Sequence, residues 1–403
     1  MSLDLTKIAA QVEGMTARLK AGIEQRQQHL RQALNIISDK ATDLDGLKKK
    51  IALSKTTWLV AGLVEGLGRH YQPPPPPTGF TVLATDGSHI DVDRHRSIRC
   101  YLINIGGVML TYGTSPSAVL GSYPRLYSED EELIISPPEG SGREQPVEGV
   151  LLGIKRGVEE CRYLANMAGE LPAGVSALAL LDGSLILWGL SSKDYPEFVV
   201  DTLLNKGFLR HLEDMRSLSK DKTLALASYI SFPRSTDVVN TLRVAICPYG
   251  TPDCDRYCDN VPSGKRECDA VAGVRDRDLF FNLLSDGERS SLFISQSSIV
   301  ERYYGDHQVY FFYLRVGDET ARIEIPKWVA MDENRLGLVH SLVLDQCRRG
   351  QGYPVTLSEA HEQAVLTGTD RENFQQLVEL SLAEEHITIT SSVKSLSKRT
   401  RWI

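Results

Sequence analysis

Apolar residues recur at steps of three and four through the amino-terminal segment: Ile8, Val12, Met15, Leu19 and Ile23, then Leu30, Leu34 and Ile37, then Leu44, Leu47 and Ile51. A stripe with that period predicts helix. Its length suits either folding back on a core or pairing with a second copy of the chain. Five consecutive prolines, Pro73–Pro77, exclude helix and predict a short polyproline spacer. The expected division is a helical arm over 1–72, a linker over 73–79 and a larger domain over 80–403.

At Phe80 the period changes to two, with Phe80, Val82, Ala84 and Asp86 on one face, which predicts a strand ending at Asp86. Residues Ile98–Gly113 read as two strands folded around the Gly106-Gly107 doublet. A loop rich in Gly, Ser and Pro follows. Leu151, Ile154, Val158, Cys161 and Ala165 then mark a helix from Val147 to about Ala168. "VSALALLDGSLIL" (Val175–Leu187) is a fourth strand, ending at Asp182. Three strands in meander, a helix and a strand parallel to the first make an α/β fold on the plan of a ribonuclease-H-like core, a mixed sheet of βββαβ order. Helices are expected toward the carboxyl end.

That order makes the first and fourth strands neighbours and gives meaning to a repeated tripeptide, Asp-Gly-Ser, at Asp86–Ser88 and Asp182–Ser184. One such tripeptide is an ordinary turn. Two, each closing an apolar strand, would set two carboxylates side by side, where they repel unless they share a proton or bind a cation. Hard divalent ions with oxygen ligands, Mn²⁺ or Mg²⁺, are the natural partners, and their natural chemistry is phosphodiester hydrolysis. A third carboxylate should come from the intervening helix. Glu148, Glu159 and Glu160 are the candidates; Glu159 borders the apolar face and is preferred, while Glu160 points further round.

Composition narrows the class. The chain has 403 residues, 42% of them hydrophobic, and a net charge of −7, which argues against nucleic-acid binding through a general positive field. Local basic runs stand at Lys48–Lys55 and Val393–Ile403; the second could contact DNA or a partner. The apolar runs are too short to span a bilayer, so the expectation is a soluble, cytoplasmic protein without membrane contact. Reduced thiols are expected of the seven cysteines. Four of them, Cys247, Cys254, Cys258 and Cys268, fall in one loop-rich stretch with spacing C-x6-C-x3-C-x9-C. They raise the candidate of a structural Zn²⁺, or an iron–sulfur cluster, stapling an insertion over about 247–275. No phosphate-binding loop of the Walker A kind is present, so any ATP use belongs to a partner.

Three more polar residues carry candidate roles. Ser358 could cap a helix that places His361 in its first turn, where the imidazole could ligate metal or orient water. Arg234, in "FPRSTDVVN", could clamp a DNA phosphate or pair with Asp237. Arg322 and Glu324 alternate with Ile323 and Ile325 and read as a surface ladder, with Arg322 a candidate DNA contact.

Taken with "TDGSH", "LLDGSLI", "YISFPRSTDVVNTLRV", "FFYLRVGDETARIEIPKWV" and "GYPVTLSEAHEQAVLTGTDRENF", in this order, the chain from about Phe80 to Leu377 resembles the NurA family, nucleases that partner the HerA hexameric DNA translocase. The resemblance implies a ribonuclease-H-like core, Mn²⁺-dependent hydrolysis of DNA, a homodimer around a central channel, and DNA end resection in DNA repair together with HerA. Asp86 and Asp182 match the metal-binding aspartates and His361 the carboxyl-terminal active-site histidine; the helix glutamate falls on Glu159 or Glu160. The competing class is a non-catalytic subunit that guides DNA or regulates the HerA ATPase.

Overall fold

The structure, a computed structural model, describes residues 4–40, 43–91, 99–138, 142–191, 195–262 and 264–387. The basic segment Val393–Ile403 lies outside them. Among the described residues all seven cysteines are free thiols, and no helix is long and apolar enough to cross a membrane. The chain is a mixed α/β protein that divides into two compact units.

One unit holds residues 74–229, 298–309 and 324–403. Its sheet is built from β1 (Phe80–Ile90), β2 (Tyr101–Tyr112), β3 (Ser117–Tyr127), β4 (Ser176–Asp182) and β5 (Thr223–Ile230), in the spatial order β5-β4-β1-β2-β3. The β1–β2 and β2–β3 pairs are antiparallel; β1–β4 and β4–β5 are parallel. Helix α1 (Val150–Glu170) connects β3 to β4 and packs Leu151, Leu152, Val158, Cys161 and Leu164 on Leu83, Ile103, Ile105, Ala177 and Ala179. Helices α2 (Glu333–Arg349) and α3 (Val355–Ala364) follow.

The βββαβ order is the expected one, but two elements depart from the expectation. Residues 101–112 form one continuous strand, so Gly106-Gly107 is no hairpin turn. The turn lies at Gly113–Pro116, and the segment read as loop contains β3, an edge strand exposed along most of its length. Strand β1 also runs on past Asp86 to Ile90. What ends near Asp86 is the parallel ladder to β4, whose last pair is Thr85 with Leu181.

The other unit holds residues 1–73, 230–297 and 310–323. The helices Leu5–Lys40 and Leu44–Ala52 realise the predicted stripe. Its second half, with Ala33, Ile37, Leu47 and Ile51, is buried against Val238, Leu242, Phe293 and Phe311. Its first half stays open: Val12, Met15, Leu19 and Ile23 are each about half exposed, at 46–51%. Two lysines of the Lys48–Lys55 run are committed to main-chain carbonyls, Lys48 to Val64 and Lys50 to Ala245 and Cys247.

Arg322 corrects another expectation. It is 3% exposed, pairs with Asp237 at 2.8 Å and stacks on the Phe311 ring at 3.6 Å. Its guanidinium is an internal strut and faces no DNA. Nor does Glu324 form a surface ladder, being 1% exposed. Beside the Arg322 pair, the fully buried Asp276 accepts the amides of Val238 and Val239 at 3.1 and 2.8 Å and the Tyr313 hydroxyl at 2.7 Å, so it caps the helix Asp237–Ile246 from outside. Burial and the neighbouring Asp237 push its pKa up to about 6. Asp276→Ala should therefore cost about 3 kcal/mol of stability, by stranding buried donors. Asp276→Asn, which keeps an acceptor and drops the costly charge, should cost less than half of that; denaturant melts of both variants check the order.

Candidate active site

The site is built where the β1/β4 ladder ends. Asp182 is the last residue of β4, and Asp86 lies one step beyond the last parallel pair, on the strand alongside. Asp86 is held from two sides. Its Oδ1 accepts the Gly87 amide at 2.7 Å and its Oδ2 lies 2.7 Å from Nδ1 of His361. Asp182 accepts the Tyr353 hydroxyl at 3.0 Å. The loss of water around its carboxylate, and after it the neighbouring Asp86 charge, raise the pKa of Asp182.

The helix supplies two neighbouring glutamates with different surroundings. Glu160 is buried, and desolvation pushes its pKa up to about 7; Arg156 pulls it down, while Asp86 and Asp182 both push it up. It therefore shares an electrostatic environment with the two strand aspartates. Its Oε1 lies 3.0 Å from Arg156 Nε, yet off the hydrogen-bond line, so this buried oxygen has no hydrogen-bond partner. Glu159 turns the other way. It lies 2.9 Å from Lys155 Nζ and 2.6 Å from Arg162, and these cations hold its carboxyl below the usual range in spite of burial. The structure thus brings Glu160, and not the preferred Glu159, toward Asp86 and Asp182. Glu148 precedes α1 and lies about three helical turns away.

Each residue of the repeated tripeptide has its own local reason. At Gly87 a Cβ would stand 2.6 Å from Oε1 of Glu160 and 2.9 Å from Cγ of Arg156, so glycine leaves room for both side chains against β1. At Gly183 space is open, but φ is +83°, which L-residues avoid. Ser88 donates to the Ala364 carbonyl and so ties β1 to α3. Ser184 donates at 2.8 Å to the buried Glu324, which also accepts the Leu185 amide at 2.9 Å.

Helix α3 carries His361 in its last turn; the helix begins at Val355 after Pro354, so Ser358 is no cap and His361 is not in a first turn. Its closeness to the sheet depends on Gly106, which faces Asp86 in the β1–β2 register. A Cβ there would lie 2.1 Å from the Ala360 carbonyl and 2.6 Å from the Ala364 amide. Asn104, two residues before, donates to the carbonyls of Gln363 and Ala364 at 3.2 and 3.0 Å. Sequence reading missed Tyr353, Arg156, Gly87 and Gly106; Tyr353 stood within a quoted motif, and the glycines were visible only as turn signals.

Among the described residues no three His, Cys, Asp or Glu groups are drawn close enough to hold a metal ion as they stand. The donor chemistry at the ladder's end nevertheless fits a hard cation: hard carboxylate oxygens, one of them buried without a hydrogen bond, in a mutually repelling set. The four clustered cysteines lie close enough to act on one another's charge and, like the carboxylates, are not drawn into a ligand shell. Cys254 and Cys258 have pKa values raised by burial first and by the neighbouring thiols next, but no assembled ligand shell for Zn²⁺ or a cluster is found among the described residues. Arg234, just past β5, is exposed.

The NurA domain model matches residues 80–366, well over half of the chain. The chain belongs to the NurA family. The match begins at the first residue of β1 and closes just past α3, so it encloses every residue of the site above. NurA domains are those of a nuclease family that acts in DNA end processing. No curated protein matches the chain. Among solved structures, the crystal structure of the prototype foamy virus protease–reverse transcriptase aligns at 15% identity over 39% of this chain and 19% of that one, with a TM-score of 0.19, a likeness that carries no argument.

Proposed function

We propose that this NurA protein is a metal-dependent deoxyribonuclease that hydrolyses phosphodiester bonds at DNA ends on a ribonuclease-H-like core. The observation that carries this reading is the electrostatic coupling of Asp86, Asp182 and the buried Glu160, whose Oε1 lacks a hydrogen bond, around the end of the β1/β4 ladder. These three would hold Mn²⁺ or Mg²⁺, with His361 at the edge of the set. Such an ion polarises a phosphodiester and lowers the pKa of a water molecule. The chain's own groups prepare the site. Tyr353 fixes one oxygen of Asp182 by donating to it, and the Gly87 amide and His361 each hold one oxygen of Asp86, so both strand carboxylates are oriented before a ligand arrives. Arg156 balances the charge of Glu160 while no cation is bound.

The reading extends to assembly. The half-exposed Val12–Ile23 stripe supports a homodimer through the amino-terminal arm, with the nuclease domain running from residue 80. A HerA-type hexameric ATPase would supply translocation in the cytoplasm, since the chain has no Walker A loop of its own. Incubating the protein with end-labelled linear DNA and Mn²⁺, Mg²⁺ or chelator, with and without a HerA hexamer, tests the proposal. Cleavage with the ions and none with chelator is the expected result. Intact DNA in every arm would overturn it and leave a DNA-guiding subunit.

A further inference from the structure

Two residues past β5 the backbone does something unusual. Phe232 has φ of +47°, a left-handed conformation that a bulky L-residue seldom adopts and that glycine would occupy freely. It is also 61% exposed. An aromatic side chain that is both strained in its backbone and open to water needs a reason beyond folding.

Its neighbours hold it there. The Phe232 amide and the Ser231 hydroxyl both donate to Oε1 of Glu319, at 2.6 and 2.8 Å, which pins the turn. The Arg277 guanidinium lies 3.4 Å from the ring centroid and donates to the Phe232 carbonyl at 3.3 Å. Arg277 is itself mostly covered, with 14% of its side chain exposed, and is positioned by Asp278 at 3.4 Å. One face of the ring is thus backed by a fixed cation, and the exposure belongs to the rest of the ring. Arg234, two residues on, is exposed and adds positive charge to the same turn. All of these residues belong to one compact unit.

We propose that Phe232 is a stacking platform for a base of single-stranded DNA, with Arg277 as its rigid backing and Arg234 as a phosphate contact. Every base has a π-face, so such a platform binds without sequence preference, and a flat ring fixed in place loses little entropy on stacking. Duplex DNA, whose bases are already stacked, does not use it. A chain with net charge −7 needs a contact of this kind, because a general positive field is absent. The inference rests on the nuclease reading.

The substitution that tests it is Phe232→Gly, since glycine relieves the left-handed backbone and keeps the fold. Binding of fluorescein-labelled (dT)20 is measured by anisotropy in chelator, so that no strand is cut, together with a blunt duplex and the thermal midpoint. The expected result is about tenfold weaker binding of (dT)20 by Phe232→Gly, near wild-type binding by Phe232→Trp, and an unchanged duplex affinity and midpoint. Equal affinity of Phe232→Gly and wild type for (dT)20 would overturn the platform. So would wild-type protein that cleaves DNA with Mn²⁺ yet does not bind (dT)20. Wild-type protein that neither binds nor cleaves any DNA would sink the nuclease reading along with it.

Discussion

Glu160→Gln is expected to slow metal-dependent DNA cleavage by about a thousandfold, as are Asp86→Asn and Asp182→Asn, while Glu159→Gln stays within a few-fold of wild type. The two glutamates are adjacent in sequence and both buried, so composition and burial do not separate them. Their charges do. Glu159 is neutralised by Lys155 and Arg162, whereas Glu160 feels the charge of two aspartates with a single off-line arginine for relief. Stability should separate them in the opposite sense. In metal-free protein the Glu160 pKa is raised from 4.5 to about 7, so the folded state disfavours its charged form. Stability on this account is highest below about pH 4.5 and falls as pH rises through about 7, by up to about 3 kcal/mol if the whole shift is realised. Glu160→Gln removes that slope and raises the melting midpoint near pH 8 in chelator, while Glu159→Gln lowers it by breaking two ion pairs. Initial rates on end-labelled DNA and melts across pH provide both readouts. An inactive Glu159→Gln beside an active Glu160→Gln would reverse the assignment.

Why one glutamate and not the other could not be read from the sequence is a matter of angle. Neighbouring helix residues differ by about 100° in direction, and the apolar stripe fixes only the mean direction of the buried face. Both glutamates border that face; the cations that claim Glu159 are spaced three and four residues from it, but so is Arg156 from Glu160. The strand aspartates were legible for the opposite reason. Period-two alternation locates a strand, and a chain order of three strands, helix and strand makes the first and last neighbours. The edge strand Ser117–Tyr127 escaped because both its faces are open, so it lacks alternation, and because it contains Gly121 and Pro124, which an edge tolerates and an interior strand does not. Tyr353 lies in a short connection between helices, where no periodicity speaks, and only its contact with Asp182 gives it a role.

The glycine doublet of β2 carries the second large effect. Paired glycines usually mark a turn, yet Gly106 and Gly107 sit mid-strand and face opposite sides of the sheet. Gly107 looks toward α1, where a Cβ would meet the Met167 sulfur and the Tyr123 ring at 3.2 Å, and a flexible methionine can give way. Gly106 looks toward α3, where a Cβ would be 2.1 Å from the Ala360 carbonyl and the obstacle is main chain. Gly106→Ala must therefore lift α3 by more than an ångström or distort β2, at about 2 to 4 kcal/mol. Lifting α3 separates His361 from Asp86 and strains the Ser88 and Asn104 bonds to its last turn. A displacement of that size at a site of paired carboxylates should lower cleavage about a hundredfold, even in the fraction that stays folded. Gly107→Ala should cost about 1 kcal/mol or less and leave the rate near wild type. Melts and rates for the two single variants decide it. If Gly106→Ala were as stable and as active as Gly107→Ala, close seating of α3 on β2 would not be what positions His361, and the histidine's place beside Asp86 would need another cause.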